Sequence, residues 1–161
     1  MHWRLLFCIV FGWACAPQAL AISPYVSGES VACTALPVCV SIVEQKLKSA
    51  GFQVLGTHYP RGLPLHAVVV VTDKAWLQTI RTLGGSAIIG AGIRIGVKAN
   101  GSVSYINPDY WYRAYFQRRF EAQRHAVEAL QKRLAKTLGD RGRFGGDVPT
   151  IDLPKYRFMI G

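Results

Sequence analysis

The sequence has 161 residues, half of them hydrophobic, and carries 19 Lys and Arg against 9 Asp and Glu for a formal net charge of +10. That length matches one ordinary domain, able to bury a core without staples, and implies no second domain. If the first 21 residues are removed, only Arg4 leaves with them, so the surplus of basic residues falls only from ten to nine.

Residues 1–21 read as an export signal. His2 and Arg4 form a weak positive start, Leu5 to Trp13 an apolar stretch, and Ala19-Leu20-Ala21 a small-x-small cleavage site, which makes Ile22 the expected mature N-terminus. The apolar stretch is shorter than the roughly 20 residues a spanning helix needs, although an uncleaved N-terminal anchor is the alternative. A lipid-modified Cys15 is disfavoured, because Gly12-Trp13-Ala14 lacks the usual aliphatic residue three before the cysteine. The expected location is the periplasm. A basic exported protein meets an anionic membrane surface, an acidic polysaccharide or an acidic protein more readily than nucleic acid, and no nucleic-acid partner is expected.

Residues 22–40 hold Pro24, Gly28 and Pro37 with no sustained period and read as an irregular lead-in, with room for one short strand. Cys33 and Cys39 are the two cysteines that remain after the signal, in a compartment where disulfides persist. A structural bridge is one reading of them. A redox-active or metal-binding pair is the other, and the Cys-x5-Cys spacing matches neither a redox motif nor a zinc knuckle.

The domain proper, residues 41–161, opens on Ser41-Ile42-Val43-Glu44, which has the form of a helix capping box, and Gly51 is placed to close that helix. Phe52 to Tyr59 reads as a strand ended by Pro60-Arg61-Gly62-Leu63-Pro64, and His66 to Thr72 as a central strand buried on both faces. Asp73 caps a short helix in which Trp76, Ile80 and Leu83 share a face. Ile88 to Lys98 is the next strand, with Ile93, Ile95 and Val97 on one side and Gly92, Arg94, Gly96 and Lys98 on the other. Asn100-Gly101 has the form of a two-residue hairpin turn leading to Ser102 to Ile106. Asn107-Pro108 starts a helical pattern that lasts to Leu138 and Gly139, with a break expected near Gln117 to Phe120, where two apolar stripes fall out of line. Asp140 to Thr150 reads as a loop and Leu153 to Ile160 as a last strand. The order implies α+β: an antiparallel or mixed β-sheet with two to three helices packed mainly on one face.

The capped helix, the Gly51-Phe52 strand, the hairpin and Val103-Ser104-Tyr105-Ile106-Asn107-Pro108-Asp109-Tyr110 together resemble the bacterial family called domain of unknown function 302. Phe144-Gly145-Gly146 and Lys155-Tyr156-Arg157-Phe158-Met159-Ile160-Gly161 look like the end of its exported members. The resemblance covers Ser41 to Gly161, and Tyr-x-Asn-Pro-x-Tyr is its most specific element. It implies a small, often self-associating α+β domain with no established activity, so it carries over no catalytic residue and no cofactor. Two departures stand out. Similar proteins commonly run on past the terminal Met-x-Gly, where this sequence stops at Gly161, and the helix is richer in arginine here.

No residue set has the form of a catalytic or metal site. Gly90-Ala91-Gly92-Ile93-Arg94-Ile95-Gly96 contains a Gly-x-Gly that leads into strand rather than helix, so it suits close packing on a sheet face and not a phosphate loop. His58, His66 and His125 show no i, i+4 pair and no accompanying carboxylate. Arg94, alone among glycines, is either a plain solvated arginine or a holder of a carboxylate, sulfate or phosphate. Tyr105, Tyr110, Trp111, Tyr112, Tyr115 and Phe116 are too many to be buried together, and beside Arg113, Arg118 and Arg119 they offer a contact surface. Arg94, Tyr105, Asn107, Tyr110, Trp111 and Arg113 are therefore the candidate binding residues.

These features favour a noncatalytic exported interaction module that dimerises and accepts an anionic or aromatic partner near Arg94 and Tyr105. The alternatives are a small envelope enzyme or redox accessory using Cys33 and Cys39, and a protein held to an anionic membrane surface by its basic helix.

Overall fold

The computed structural model describes residues 20–155. The expected signal segment up to residue 19 and the tail from residue 156 lie outside the described residues.

Six strands form one antiparallel sheet. In chain order its members are β2 (Tyr25–Ser27), β3 (Gln53–His58), β4 (His66–Thr72), β5 (Ile93–Lys98), β6 (Val103–Ile106) and β7 (Gly142–Phe144), and across the sheet they run β3-β4-β5-β6-β2-β7. Two further short strands, β1 (Ala21–Ile22) and β8 (Val148–Pro149), pair with each other. Four helices complete the domain: α1 (Leu36–Ser49), α2 (Lys74–Leu83), α3 (Pro108–Phe116) and α4 (Phe120–Leu138). The architecture is the expected α+β. The helix count exceeds the expected two to three because the break after Phe116 is complete.

Alternation along the strands decides which face is covered. Val69, Val71, Ile93, Ile95 and Val97 lie at 0–1% exposure on one face, and α1 packs there against β3, β4 and β5, with α4 bridging to α1, α2 and α3. The other face presents Val68, Val70, Arg94, Gly96, Lys98 and Ser104, all at least partly exposed. β4 is thus half-buried, where its unbroken apolar run predicted burial on both faces. Val68 and Val70 face outward in alternation, and α3 covers the other end of that face, where Ile106 is buried and Trp111 and Tyr115 meet Arg94.

Several local expectations hold for the stated reasons. Gly51, at a φ of 85°, follows α1, and Gly51 N–H and Phe52 N–H donate back to the Lys48 and Leu47 carbonyls, so two orphan carbonyls are satisfied in one turn. The Asp73 carboxylate accepts from Trp76 N–H at 2.8 Å and caps α2. The break between α3 and α4 falls at Gln117, the one non-glycine among the described residues with a positive φ, at 50°.

Others are corrected. Helix α1 starts at Leu36, not Ser41, because its buried stripe already begins at Leu36 and Cys39 and Pro37 sits in its first turn. Ser41 is inside the helix, and the Glu44 carboxylate accepts from Thr57 Oγ1 at 2.6 Å instead of closing a capping box. Gly85–Gly90 forms a turn of 3-10 helix, so β5 begins only at Ile93. The β5–β6 connection has four residues, 99–102, with Lys98 N–H donating to the Ser102 carbonyl and Gly101, at a φ of 83°, closing the turn. The stretch expected to be a loop after Asp140 supplies β7 and β8, and Leu153–Lys155 is a 3-10 turn where a strand was expected. The lead-in, which had room for one short strand, contributes β2, between β6 and β7 inside the sheet. Strands of two or three residues are too short to show a period, which is why β7 and β8 were not visible. Cys33 and Cys39 lie at disulfide bonding distance, just before and within the first turn of α1.

Candidate functional site on the uncovered sheet face

Arg94 stands on the uncovered face at the start of β5. Its position follows from strand alternation, since Ile93 and Ile95 on either side are buried inward and force the guanidinium outward. Two contacts hold it. Nη2 donates to Tyr115 Oη at 3.1 Å, and the guanidinium lies 5.4 Å from the centre of the Trp111 ring. Among the described residues no carboxylate pairs with it, as is true also of Arg61, Arg81, Arg118 and Arg119, whereas Arg113, Arg124, Arg133, Arg141 and Arg143 each have one.

Next to Arg94 the sheet is low. Val68, Gly96, Ser104, Ser27 and Gly142 are cross-strand neighbours in register, forming a row of small residues bounded by one valine. A Cβ on Gly96 would stand 2.8 Å from Ser104 Oγ, and one on Gly92 3.1 Å from Val70 Cγ1, so the glycines let these neighbours close over the strand.

An aromatic ledge continues from Trp111. Its ring lies 5.4 Å from Tyr110 and 6.1 Å from Tyr25, which stacks on Phe144 at 5.5 Å. Trp111 Nε1 donates to the Pro24 carbonyl at 2.9 Å, fixing the indole against the N-terminal segment. Tyr25 and Phe144 remain 37% and 44% exposed, so this ledge is open to a partner.

The six candidate residues do not all converge. Arg94, Tyr110 and Trp111 come together. Tyr105 lies on the opposite face of the sheet, buried, with its hydroxyl donating to the Gly139 carbonyl at 2.8 Å. Burial, with the nearby Asp140 charge adding and Arg143 opposing, pushes that phenol up to about 12. Asn107 caps nothing with its side chain. Its Nδ2 donates to the Ser23 carbonyl at 2.8 Å, tying the start of α3 to the lead-in. Arg113 Nε sits 2.9 Å from Asp109 and its guanidinium 4.3 Å from the centre of the Phe120 ring, so an intramolecular pair already engages it. Tyr112 and Phe116 are core residues, packed on Trp76, and burial raises the Tyr112 phenol far above its ordinary range.

Sequence reading missed Tyr25 and Phe144, which lie in strands of three residues. Only their aromatic character marked them, and neither stood next to another aromatic in the chain.

Elsewhere, a groove of about 730 Å³ between α1 and α4 is lined by Lys46, Arg133 and Lys136. Arg133 reaches the buried Asp73 at 2.7 Å, and Lys46 and Lys136 lie in the last turns of their helices, where a cation offsets the negative end of the helix dipole. That charge therefore has a structural explanation. No three His, Cys, Asp or Glu among the described residues are grouped to hold a metal ion, and no helix among them is long and apolar enough to cross a membrane.

No family model and no curated protein matches the chain. A solved structure does: the crystal structure of an uncharacterized conserved protein of domain of unknown function 302 from Bacillus stearothermophilus, at 16% identity and a TM-score of 0.49, covering 71% of this chain and 93% of that one. The chain resembles that family. At this identity the likeness concerns the fold alone.

Proposed function

We propose that this protein is a noncatalytic binding module of the bacterial cell envelope, whose working surface is the uncovered sheet face around Arg94. Its ligand is an anionic molecule with a flat apolar part. The anion pairs with the guanidinium, and the flat part lies over the row of glycine and serine against Trp111 and Tyr25. The observation that carries this reading is Arg94 itself: a guanidinium steadied by Tyr115 and Trp111, on an open face, with no carboxylate partner among the described residues. The paired Cys33 and Cys39 suit an oxidising compartment and support export.

The test titrates the protein with 2-naphthoate and its neutral counterpart 2-naphthamide while following tryptophan fluorescence. Naphthoate should bind at least tenfold tighter than the amide, and Arg94→Gln should remove that difference. Equal binding of the two, or naphthoate binding untouched in Arg94→Gln, would overturn the assignment.

A second reading concerns self-association, and the outer edge of β7 favours it. No strand among the described residues pairs with that edge, and Phe144 and Tyr25 are exposed beside it, so a second copy could extend the sheet there. Light scattering should then find a dimer that Phe144→Asp converts to monomer.

A further inference from the structure

A separate cleft lies where β1, the loop after β7 and the start of α3 meet. Its volume is about 450 Å³, within the range of roughly 300–1,000 Å³ that small-molecule sites occupy. Ser23 and Asn107 are its buried members, and Arg143, Phe144, Gly146 and Asp147 are on its rim. The wall is held closely. Gly145 and Gly146 turn with φ of 104° and 89°, and a Cβ on Gly145 would stand 2.7 Å from Pro24 Cγ, so the loop lies directly on the lead-in.

The chemistry of this lining is specific. Asn107 is 3% exposed, and its backbone N–H and Nδ2 donate to the Pro24 and Ser23 carbonyls, both at 2.8 Å. Its Oδ1 accepts from no donor among the described residues. A buried amide oxygen left unpaired costs about 1–3 kcal/mol, so a further N–H or O–H brought to it would be stabilising. The Asp147 carboxylate uses one oxygen to accept from Ser23 Oγ, and its other oxygen accepts from no group among the described residues. Arg143 gives one guanidinium nitrogen to Asp140, which holds that carboxyl below its usual range, and its remaining guanidinium N–H groups meet no acceptor among the described residues. Phe144, stacked on Tyr25, supplies an apolar side. Two acceptors, one guanidinium and one aromatic wall therefore line a single cleft.

We propose that this cleft binds a free α-amino acid with an apolar side chain: the ammonium donates to Asn107 Oδ1 and Asp147, the carboxylate accepts from Arg143, and the side chain lies on Phe144. A plain carboxylic acid would leave Asn107 and Asp147 unmatched, and a plain amine would leave Arg143 unmatched. Ala21 and Ile22 complete the lining, so the cleft as described belongs to the full chain. Arg94 does not line this cleft, but Phe144 stacks on Tyr25 of the aromatic ledge, so substitutions at Arg143 and Asp147, set against Arg94→Gln, are what separate this site from the naphthoate site.

Calorimetry on the full chain separates these demands with three probes: L-phenylalanine, phenylacetate, which lacks the ammonium, and phenethylamine, which lacks the carboxylate. L-phenylalanine should bind at least tenfold tighter than either, a difference of about 1.4 kcal/mol or more. Asn107 also ties Ser23 in place, so the diagnostic substitutions are on the rim. Arg143→Gln should weaken L-phenylalanine about tenfold and leave phenethylamine unchanged, and Asp147→Asn should weaken L-phenylalanine and leave phenylacetate unchanged. Absence of L-phenylalanine binding up to about 10 mM, equal binding of the three probes, or indifference of L-phenylalanine to both substitutions would each overturn the assignment.

Discussion

The two faces of the six-stranded sheet are made from alternate residues of the same strands, yet they are finished differently. Toward the helices, Val69, Val71, Ile93 and Ile95 reach 0% exposure, and Tyr105 places its hydroxyl on the Gly139 carbonyl. Away from the helices, the neighbours of those residues are Val68, Val70, Arg94, Gly96 and Ser104, a mixture of small, apolar and cationic groups. A half-buried antiparallel sheet ordinarily turns a polar face to water. This one turns out two valines, a glycine trough and an arginine with no carboxylate. The inner face is explained by folding and the outer face is not, which is why function is sought on the outer one.

The contrast is sharpest in stability. Ile95 sits between Val69 and Tyr105 in register on the closed face. Truncating it removes three buried carbons in a layer that cannot collapse freely, and Ile95→Ala should lower unfolding free energy by about 3 kcal/mol in urea denaturation. A loss below about 1 kcal/mol would mean that the inner face is loosely packed, and the contrast between the faces would fail.

Tyr105 gives a smaller effect with a signature in pH. Tyr105→Phe leaves the Gly139 carbonyl without its donor and should cost about 1.5 kcal/mol at neutral pH. Because the folded phenol titrates at about 12 rather than 10.0, the fold favours its neutral form. That contribution is complete below pH 10 and is lost as pH rises from there through about 12, as the unfolded chain ionises first. Urea midpoints measured across that window should fall more steeply for the native chain than for Tyr105→Phe. Parallel slopes would place the hydroxyl in water, contrary to its burial.

The ease of reading the sequence follows the same division. The core stripe Trp76, Ile80 and Leu83 of α2, the cap at Asp73, the inward series Ile93, Ile95 and Val97, and the break near Gln117 were all visible, because periodicity and capping chemistry are local. The start of α1 was misplaced because Ser41 to Glu44 has the form of a cap while the actual start rests on Pro37 and on apolar contacts made by Leu36 and Cys39. For β2 the sequence offered no more than room for a short strand, and β7 and β8 were not visible, since two or three residues cannot display an alternation and the pairing joins positions more than a hundred residues apart in the case of Tyr25 and Phe144. The candidate site divides likewise. Arg94 and Trp111 were marked by composition. That Tyr105 faces away from them follows from its register opposite Ile95, which only the pairing reveals.

Arg94 is the position where the two faces can be separated most cleanly. Its side chain is exposed, makes one hydrogen bond to Tyr115 and rests on Trp111. Each such contact at a surface is worth little, because water replaces most of it and a long side chain loses entropy when held. Arg94→Ala should therefore change unfolding free energy by only about 0.5 kcal/mol, a sixth of the effect at the adjacent Ile95, while abolishing the preference for naphthoate over naphthamide. Neighbouring residues on one strand would then separate stability from binding. A loss of about 2 kcal/mol would instead identify the guanidinium as a brace between β5 and α3, and its lack of a carboxylate partner would no longer point to a ligand.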